Sequence, residues 1–307
     1  MEYEFYTADV FTNRLFEGAQ IAVFPNAEGL GEARMQQISN EFNLSETVFV
    51  FASGDDKTKR RMKVFSGFGE KDFAGHPVIA TAYVLAETGN ISLNGHSNPI
   101  VLEQNAGEIN TNISVEDGKV KLVQFSLKPE PIIDRFVPRD QELAECLSLP
   151  IDAIENKKYH TLMVSCGFPY LIIPLTSYQA VRKATFNYSA WGQTTAPATS
   201  AQELLLFASQ SVDTTAEFHG RLVGPHIGIN EDPPIGSSIP AFTSYLCAHS
   251  HIRTGTYTFA IDRGTDSGRR SLIHIEMDNR GNNQLTVRVG GEAVMVSHGK
   301  INVPDPD

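Results

Sequence analysis

Pro77-Val78-Ile79-Ala80-Thr81-Ala82-Tyr83-Val84-Leu85-Ala86-Glu87 reads as a helix with almost no polar face, led in by Asp72-Phe73-Ala74-Gly75-His76. A helix that is apolar nearly all round needs partners on every side. The neighbouring sequence supplies them: short alternating or β-branched runs over 4–10, 20–24, 47–51, 61–65, 99–102 and 119–125 predict strands. A second helix is predicted over 31–42, with Met35, Ile38 and Phe42 on one face. The reading is α+β, with a central helix enclosed by strands. The second half repeats the plan, with a helix over 139–147, strands over 161–165, 170–175 and beyond Gly255, and another enclosed helix over 237–247. Laying Gly75 on Gly236, an offset of 161 residues, puts Glu70 on Glu231, Ala80 on Ala241 and Leu85 on Leu246. This predicts an internal duplication with a shared cleft. Any two turn-to-helix junctions align partly, so unrelated halves remain open on these residues alone.

The chain has 307 residues, 41% hydrophobic and 20% charged, the usage of a globular protein. A single core stops growing near roughly 250–300 residues, which predicts two domains. The boundaries read as 1–128 and 129–291, with a C-terminal strand near 292–303 available to the first. Leu127-Lys128-Pro129-Glu130-Pro131 is a proline-stiffened linker, and 194–200 a polar loop. With 25 basic and 36 acidic residues the formal charge is −11, the wrong sign for nucleic acid or an anionic membrane. No apolar run reaches the roughly 18 residues of a membrane span, and the N-terminus lacks the basic and apolar regions of a secretory signal. Cys146, Cys166 and Cys247 are far apart and form no CxxC, so neither disulfides nor a zinc knuckle are expected. These features point to a cytoplasmic location. The glycines at 264–268 form no GxGxxG or P-loop pattern, and no cofactor is expected. His219, His226, Glu231 and Asp232 lack the HxxxH or HExxH spacing of a metal site, and no metal is expected. His249 and His251 read as cations at the C-terminal end of the second enclosed helix, and Trp191 as a loop anchor.

Chemistry is suggested at the two helix starts. Gly75 permits close backbone approach, Pro77 occupies a first-turn position, and open N–H groups at a helix N-terminus suit a carboxylate. Gly236-Ser237 makes the same kind of start after Glu231-Asp232-Pro233-Pro234-Ile235. Asn43-Leu44-Ser45-Glu46-Thr47 offers a proton-transfer group, Glu46, ahead of Val48-Phe49-Val50-Phe51. Partial burial there would raise its pKa above the ~4.3 of a free glutamate and let it give as well as take a proton. On spacing alone, Ser45 and Glu46 can equally punctuate a strand start, and His76 can be a structural hydrogen-bonding residue.

Several strings, in order along the chain, resemble the PhzF-like isomerase family of phenazine biosynthesis. They are Asp9-Val10-Phe11-Thr12, Gly18 with Ala22-Val23-Phe24, Asn43 to Thr47, Phe73-Ala74-Gly75-His76-Pro77, and Gly228-Ile229-Asn230-Glu231-Asp232-Pro233 with Gly236-Ser237. Gly268-Arg269-Arg270-Ser271 and Val287-Arg288-Val289-Gly290-Gly291 continue the likeness more weakly, so that it covers about 5–298. The resemblance implies a diaminopimelate epimerase-like fold: two pseudo-symmetric domains, each a β-barrel around a central helix. It implies Glu46 as the acid/base of a cofactor-independent proton shift on a small cyclic or amino-acid-like carboxylate. His76, Asp232 and Ser237 would orient substrate or relay protons, with amides of Gly75, His76, Gly236 and Ser237 holding the carboxylate. It also implies a homodimer.

Three departures bear on the substrate. Gly18-Ala19-Gln20 stands where the family has Gly-Asn-Pro, Pro234 and Ile235 stand for Ala and Thr, and Ser66-Gly67-Phe68-Gly69 stands for a Thr-Pro turn. Racemases of the same fold use opposed cysteines; here His76 and Ser237 stand near those places, and serine is too weak an acid to replace a thiol unaided. The competing class is a non-catalytic protein that binds a small carboxylate and keeps the fold.

Overall fold

The computed structural model describes residues 1–54, 58–195, 201, 203–209, 211, 215–228, 232–265, 268–282 and 284–304. The chain divides into two compact units. Unit 1 is Met1–Leu127 with Ser267–Ser271 and Arg288–Asp307, and unit 2 is Lys128–Asp266 with Leu272–Val287.

Unit 1 opens with β1 (Glu2–Val10), β2 (Ala19–Phe24), α1 (Glu32–Phe42), β3 (Glu46–Ala52), β4 (Lys59–Ser66) and β5 (Gly69–Lys71). There follow α2 (Gly75–Glu87), β6 (Ser97–Gln104), β7 (Gly107–Glu116) and β8 (Lys119–Leu127). β2 and β3 are parallel, joined over α1, and β4 and β6 are parallel, joined over α2; the remaining neighbours are antiparallel. Asp117 and Gly118, both at positive φ (50° and 73°), make the two-residue turn between β7 and β8 that such a hairpin requires. Helix α2 lies against β1, β2, β3, β7 and β8, and every residue from Gly75 to Ala86 is buried. The all-round apolar sequence therefore marks enclosure. The helix starts two residues before the predicted Pro77 because Gln104 holds the preceding residue at both backbone atoms, accepting from the Ala74 N–H at 2.8 Å and donating to its carbonyl at 3.0 Å.

Unit 2 runs β9 (Ile132–Asp134), α3 (Asp140–Cys146), β10 (Leu162–Ser165), β11 (Pro169–Pro174), α4 (Tyr178–Lys183), α5 (Tyr188–Gln193), β12 (Glu203–Ala208) and β13 (Phe218–Val223). It continues with α6 (Ile239–Cys247) and β14 (Gly255–Thr265). β15 (Gly268–Asn279) begins and β16 (Leu285–Gly291) ends on residues of unit 1, and β17 (Ala293–Asn302) pairs antiparallel with β1 from Glu2↔Asn302 to Val10↔Ala293. β11/β12 and β13/β14 are parallel pairs, each joined over helix. Helix α6 packs on β10 and β11 and is buried from Ile239 to Leu246, with Phe242 and Tyr245 against Phe207. It starts two residues later than predicted: Gly236–Ser238 form a 3₁₀ turn, closed by the Ser238 N–H and hydroxyl on the Ile235 carbonyl. A separate core joins α3, α4 and α5 to β11 and β12, and Trp191 is buried in it beside Phe186, as a helix residue of that core rather than a loop anchor. Residues 196–200 of the predicted polar loop lie outside the described residues.

His249 differs from its expected role as a cation. Its Nδ1 bonds the Tyr245 carbonyl at 2.9 Å and its Nε2 accepts the His160 N–H at 3.1 Å, which fixes a neutral ring. Burial, together with the neighbouring positive charges of His251, His160 and Arg135, holds its pKa below the usual histidine value.

Candidate active site

Asn43-Leu44-Ser45-Glu46 turns a helix into a strand. Asn43 takes φ 50° and donates its N–H to the Ser39 carbonyl, ending α1 with a left-handed residue. The Ser45 hydroxyl donates to the Gln20 carbonyl at 3.5 Å, and Glu46 starts β3 in register with Ile21. Side chains alternate along a strand, so Glu46 shares a face with Val48. Val48 is opposite Val64, and Val64 is opposite Lys71, which carries Lys71 onto the face of Glu46.

Three groups meet there. Lys71 Nζ donates to Glu46 Oε1 at 2.6 Å, and His76 Nε2, from the second residue of α2, lies 2.7 Å from Oε2. The second contact is short but not aligned as a hydrogen bond, so Oε2 and both His76 ring nitrogens have no hydrogen-bond partner among the described residues. Glu46 is 4% exposed. Burial alone would raise its pKa, but the pull of His76 and then of Lys71 outweighs it, and the carboxyl is held well below the usual carboxylate range. This corrects the expected rise, since the His76 ring and the Lys71 ammonium oppose desolvation. Gly75 is the first residue of the buried helix, and no side chain caps that helix start.

The 11–18 loop lies at the same end of the sheet, between Val10 and Ala19. Asp9 is buried, accepts the Phe16 N–H at 2.7 Å and pairs with Arg269, which also bonds the Glu17 and Gly18 carbonyls. The sequence string containing Asp9 therefore serves to pin this loop. Leu15 and Phe16 on the loop, and Phe68 in the β4–β5 turn, are exposed.

The remaining predicted residues belong to unit 2. Asp232 is committed to Arg182 at 2.7 Å, with Arg263 Nε at 3.8 Å. Gly236 is buried in the 3₁₀ turn, and Ser237, exposed, accepts the Tyr170 hydroxyl at 3.1 Å. Glu231 lies outside the described residues. His219 is paired with Asp262 at 2.8 Å, and among the described residues no group of three His, Cys, Asp or Glu is placed to hold a metal ion. No helix of the described residues is long and apolar enough to cross a membrane. Sequence reading missed Lys71 and Gln104. Two signals pointed to Lys71: the short Gly67-Phe68-Gly69 turn, which folds β5 back on β4, and the two-residue alternation from Gly69 to Lys71.

Comparison with known proteins agrees with this architecture. The family model described as phenazine biosynthesis-like protein matches residues 8–299. An uncharacterized isomerase of Mesorhizobium japonicum is 33% identical over 298 residues, 95% of this chain and 96% of the relative. The trans-2,3-dihydro-3-hydroxyanthranilate isomerase of Pseudomonas fluorescens is 27% identical over 306 residues, 97% of this chain and 99% of that enzyme. The crystal structure of the Bacillus anthracis phenazine biosynthesis protein, PhzF family, superposes with a TM-score of 0.85 at 20% identity, covering 99% of this chain and 100% of that one. The fold is thus α+β and diaminopimelate epimerase-like. The chain belongs to the phenazine biosynthesis-like family and is a PhzF-like isomerase.

Proposed function

We propose that the protein moves a proton between two carbons of a small cyclic or amino-acid-like carboxylate, without a cofactor, with Glu46 as the base and then the acid. The observation that carries this is a buried carboxylate held ionised between His76 and Lys71 at the start of an enclosed helix. Glu46 takes the proton, the C–H electron pair enters the adjoining π system, and Glu46 delivers a proton, exchanged with solvent while it is held, to a different carbon. Atoms and charge balance, and nothing is oxidised. A carboxylate held below its usual range is always ready to accept a proton, at the expense of proton affinity. Asp232, Gly236 and Ser237 are assigned to orienting the substrate and holding its carboxylate, as the family likeness suggests. The reaction of the Pseudomonas fluorescens relative makes a dihydro-hydroxy aromatic acid the first substrate class to try.

One observation favours a second reading, a carboxylate-binding protein without turnover: Oε1 of Glu46 accepts from the Lys71 ammonium and Oε2 lies 2.7 Å from His76 Nε2, contacts that weaken a base. The departures at Ala19 and Ile235 add little to that reading, because both are core residues. Glu46→Gln keeps shape while removing proton transfer. The isomerase reading predicts retained ligand binding by calorimetry and a rate lower by about 10²–10⁴; undiminished turnover would refute it. A homodimer is part of the same proposal, and a monomeric mass in light scattering at micromolar concentration would remove it.

A further inference from the structure

The proton-transfer reading leaves Lys71 without a role, although it makes the shortest contact to the base. We propose that Lys71 is a positioning residue: its ammonium anchors Oε1 of Glu46, so that Oε2, the oxygen beside His76, is the one presented to the carbon-bound proton. This inference rests on the assignment of Glu46 as the base.

The geometry separates the two oxygens. Oε1 receives an aligned hydrogen bond from Lys71 at 2.6 Å, whereas Oε2 has only the unaligned approach of His76 at 2.7 Å and is otherwise unpartnered. An oxygen held in a charge-assisted hydrogen bond has a lone pair committed and a fixed direction, so the lone pairs of Oε2, buried beside His76 and without a hydrogen-bond partner among the described residues, are the ones left for a substrate that enters past that ring. The carboxylate cannot rotate to exchange the two roles without breaking the Lys71 bond inside a buried site, where an unpaired charge is costly. The side chain of Lys71 is 43% exposed while that of Glu46 is 6% exposed. The anchor therefore reaches in from the rim, and its removal leaves no core cavity. The hairpin that supplies it is itself a departure from the family pattern: Ser66 pairs with Gly69 across Gly67-Phe68, and β5 ends at Lys71. A lone surface ion pair is worth little; this one differs because its acidic partner is buried and chemically active in the proposal.

The test uses the full chain, with Lys71→Met, Lys71→Arg and Glu46→Gln. Deuterium exchange into trans-2,3-dihydro-3-hydroxyanthranilate follows the reaction, and carboxyl ¹³C NMR of glutamate-labelled protein follows Glu46 without substrate. Lys71→Met is expected to lower kcat about tenfold with KM within about twofold, and to move the acid limb of the rate profile and the Glu46 carboxyl transition to higher pH together. Lys71→Arg is expected to recover most of both, because a guanidinium keeps the donor and the charge. If Lys71→Met leaves the rate, the acid limb and the carboxyl transition unmoved, or if Lys71→Arg behaves like Lys71→Met, the anchor is refuted. Undiminished exchange by Glu46→Gln would instead refute the base assignment itself, and the NMR arm tells the two failures apart, since it reads the Lys71 contact whether or not Glu46 is the base.

Discussion

Both units execute the same moves, yet among the described residues it is unit 1 that sets a buried carboxylate between a lysine and a histidine. In unit 1 the order β2, α1, β3, β4, α2, β6 gives two parallel pairs separated by an antiparallel one, and in unit 2 the order β11, α4 and α5, β12, β13, α6, β14 gives the same. The second strand of each first pair also opens on a glutamate, Glu46 of β3 opposite Ile21 and Glu203 of β12 opposite Tyr170. The difference lies in the connection that precedes each buried helix. Unit 1 inserts β5, which delivers Lys71 to Glu46, and then enters α2 at Gly75 with His76 as the second residue. Unit 2 carries Asp232, held by Arg182, then Pro233 and Pro234, and starts α6 only after a 3₁₀ turn. A duplicated scaffold fixes where a carboxylate can stand, and the connection decides its charge environment.

Truncating the two buried helices tests the equivalence of the scaffolds and carries the largest stability effect. Phe242→Ala in α6 is expected to cost about 3–5 kcal/mol and Leu85→Ala in α2 about 2–5 kcal/mol in urea denaturation, because both side chains are fully buried. A loss below about 1 kcal/mol at either site would mean that its helix is not a core. A smaller effect separates two glycines. Gly18 has φ 67° and a Cβ there would press on the Val10 carbonyl, so Gly18→Ala is expected to cost about 1–3 kcal/mol. A Cβ at Gly220 would meet only the side-chain ends of Ile261 and Ile235, at 2.9 and 3.0 Å, which can move. Gly220→Ala should therefore cost less, and the reverse order would contradict the view that the 11–18 loop is the rigid one.

Acid should separate the units by smaller steps. His249 is held neutral, with its pKa lowered by burial and neighbouring positive charge. Its stabilising contribution is complete above the unfolded value near ~6.5 and is lost as pH falls below it. The Glu46 contribution has the same sign but is lost only below ~4.3, because its pKa is also lowered. Between pH 7 and 5.5, stability measured in urea should fall by no more than about 1.4 kcal/mol per pH unit from His249, and amide exchange should rise around α6 rather than α2. His249→Gln, which has no titrating ring, should flatten that dependence; an unchanged slope would assign it to another group.

The enclosed helices, most strands of unit 1 and the repeated plan were legible because an apolar run without a polar face has few other uses, as residues 78–86 illustrate. Helices α4 and α5 were not, being six residues each and defined by caps: the Ser177 and Asn187 side chains accept from Ala180 and Ala190 N–H groups at 3.2 and 3.1 Å. Glu46, Gly75 and His76 were read together through their family likeness, and the structure brings them together in unit 1. Lys71 was not read: the turn and the alternation place it on a strand face, but its approach to Glu46 depends on a register of three strands. The direction of the Glu46 pKa failed for the same reason: burial was visible in the apolar run that follows it, whereas the two groups opposing burial, Lys71 and His76, come from β5 and α2.

Isomerisation in D₂O measures the central claim, that Glu46 carries a proton from one carbon to another. With trans-2,3-dihydro-3-hydroxyanthranilate or a related dihydro-hydroxy aromatic acid, the native protein should place deuterium on a ring carbon of the product, and Glu46→Gln should bind the same acid and place none. Equal incorporation by both proteins would contradict the account and move the chemistry to another residue; binding without incorporation by the native protein across this substrate class would identify it as a carboxylate-binding protein instead.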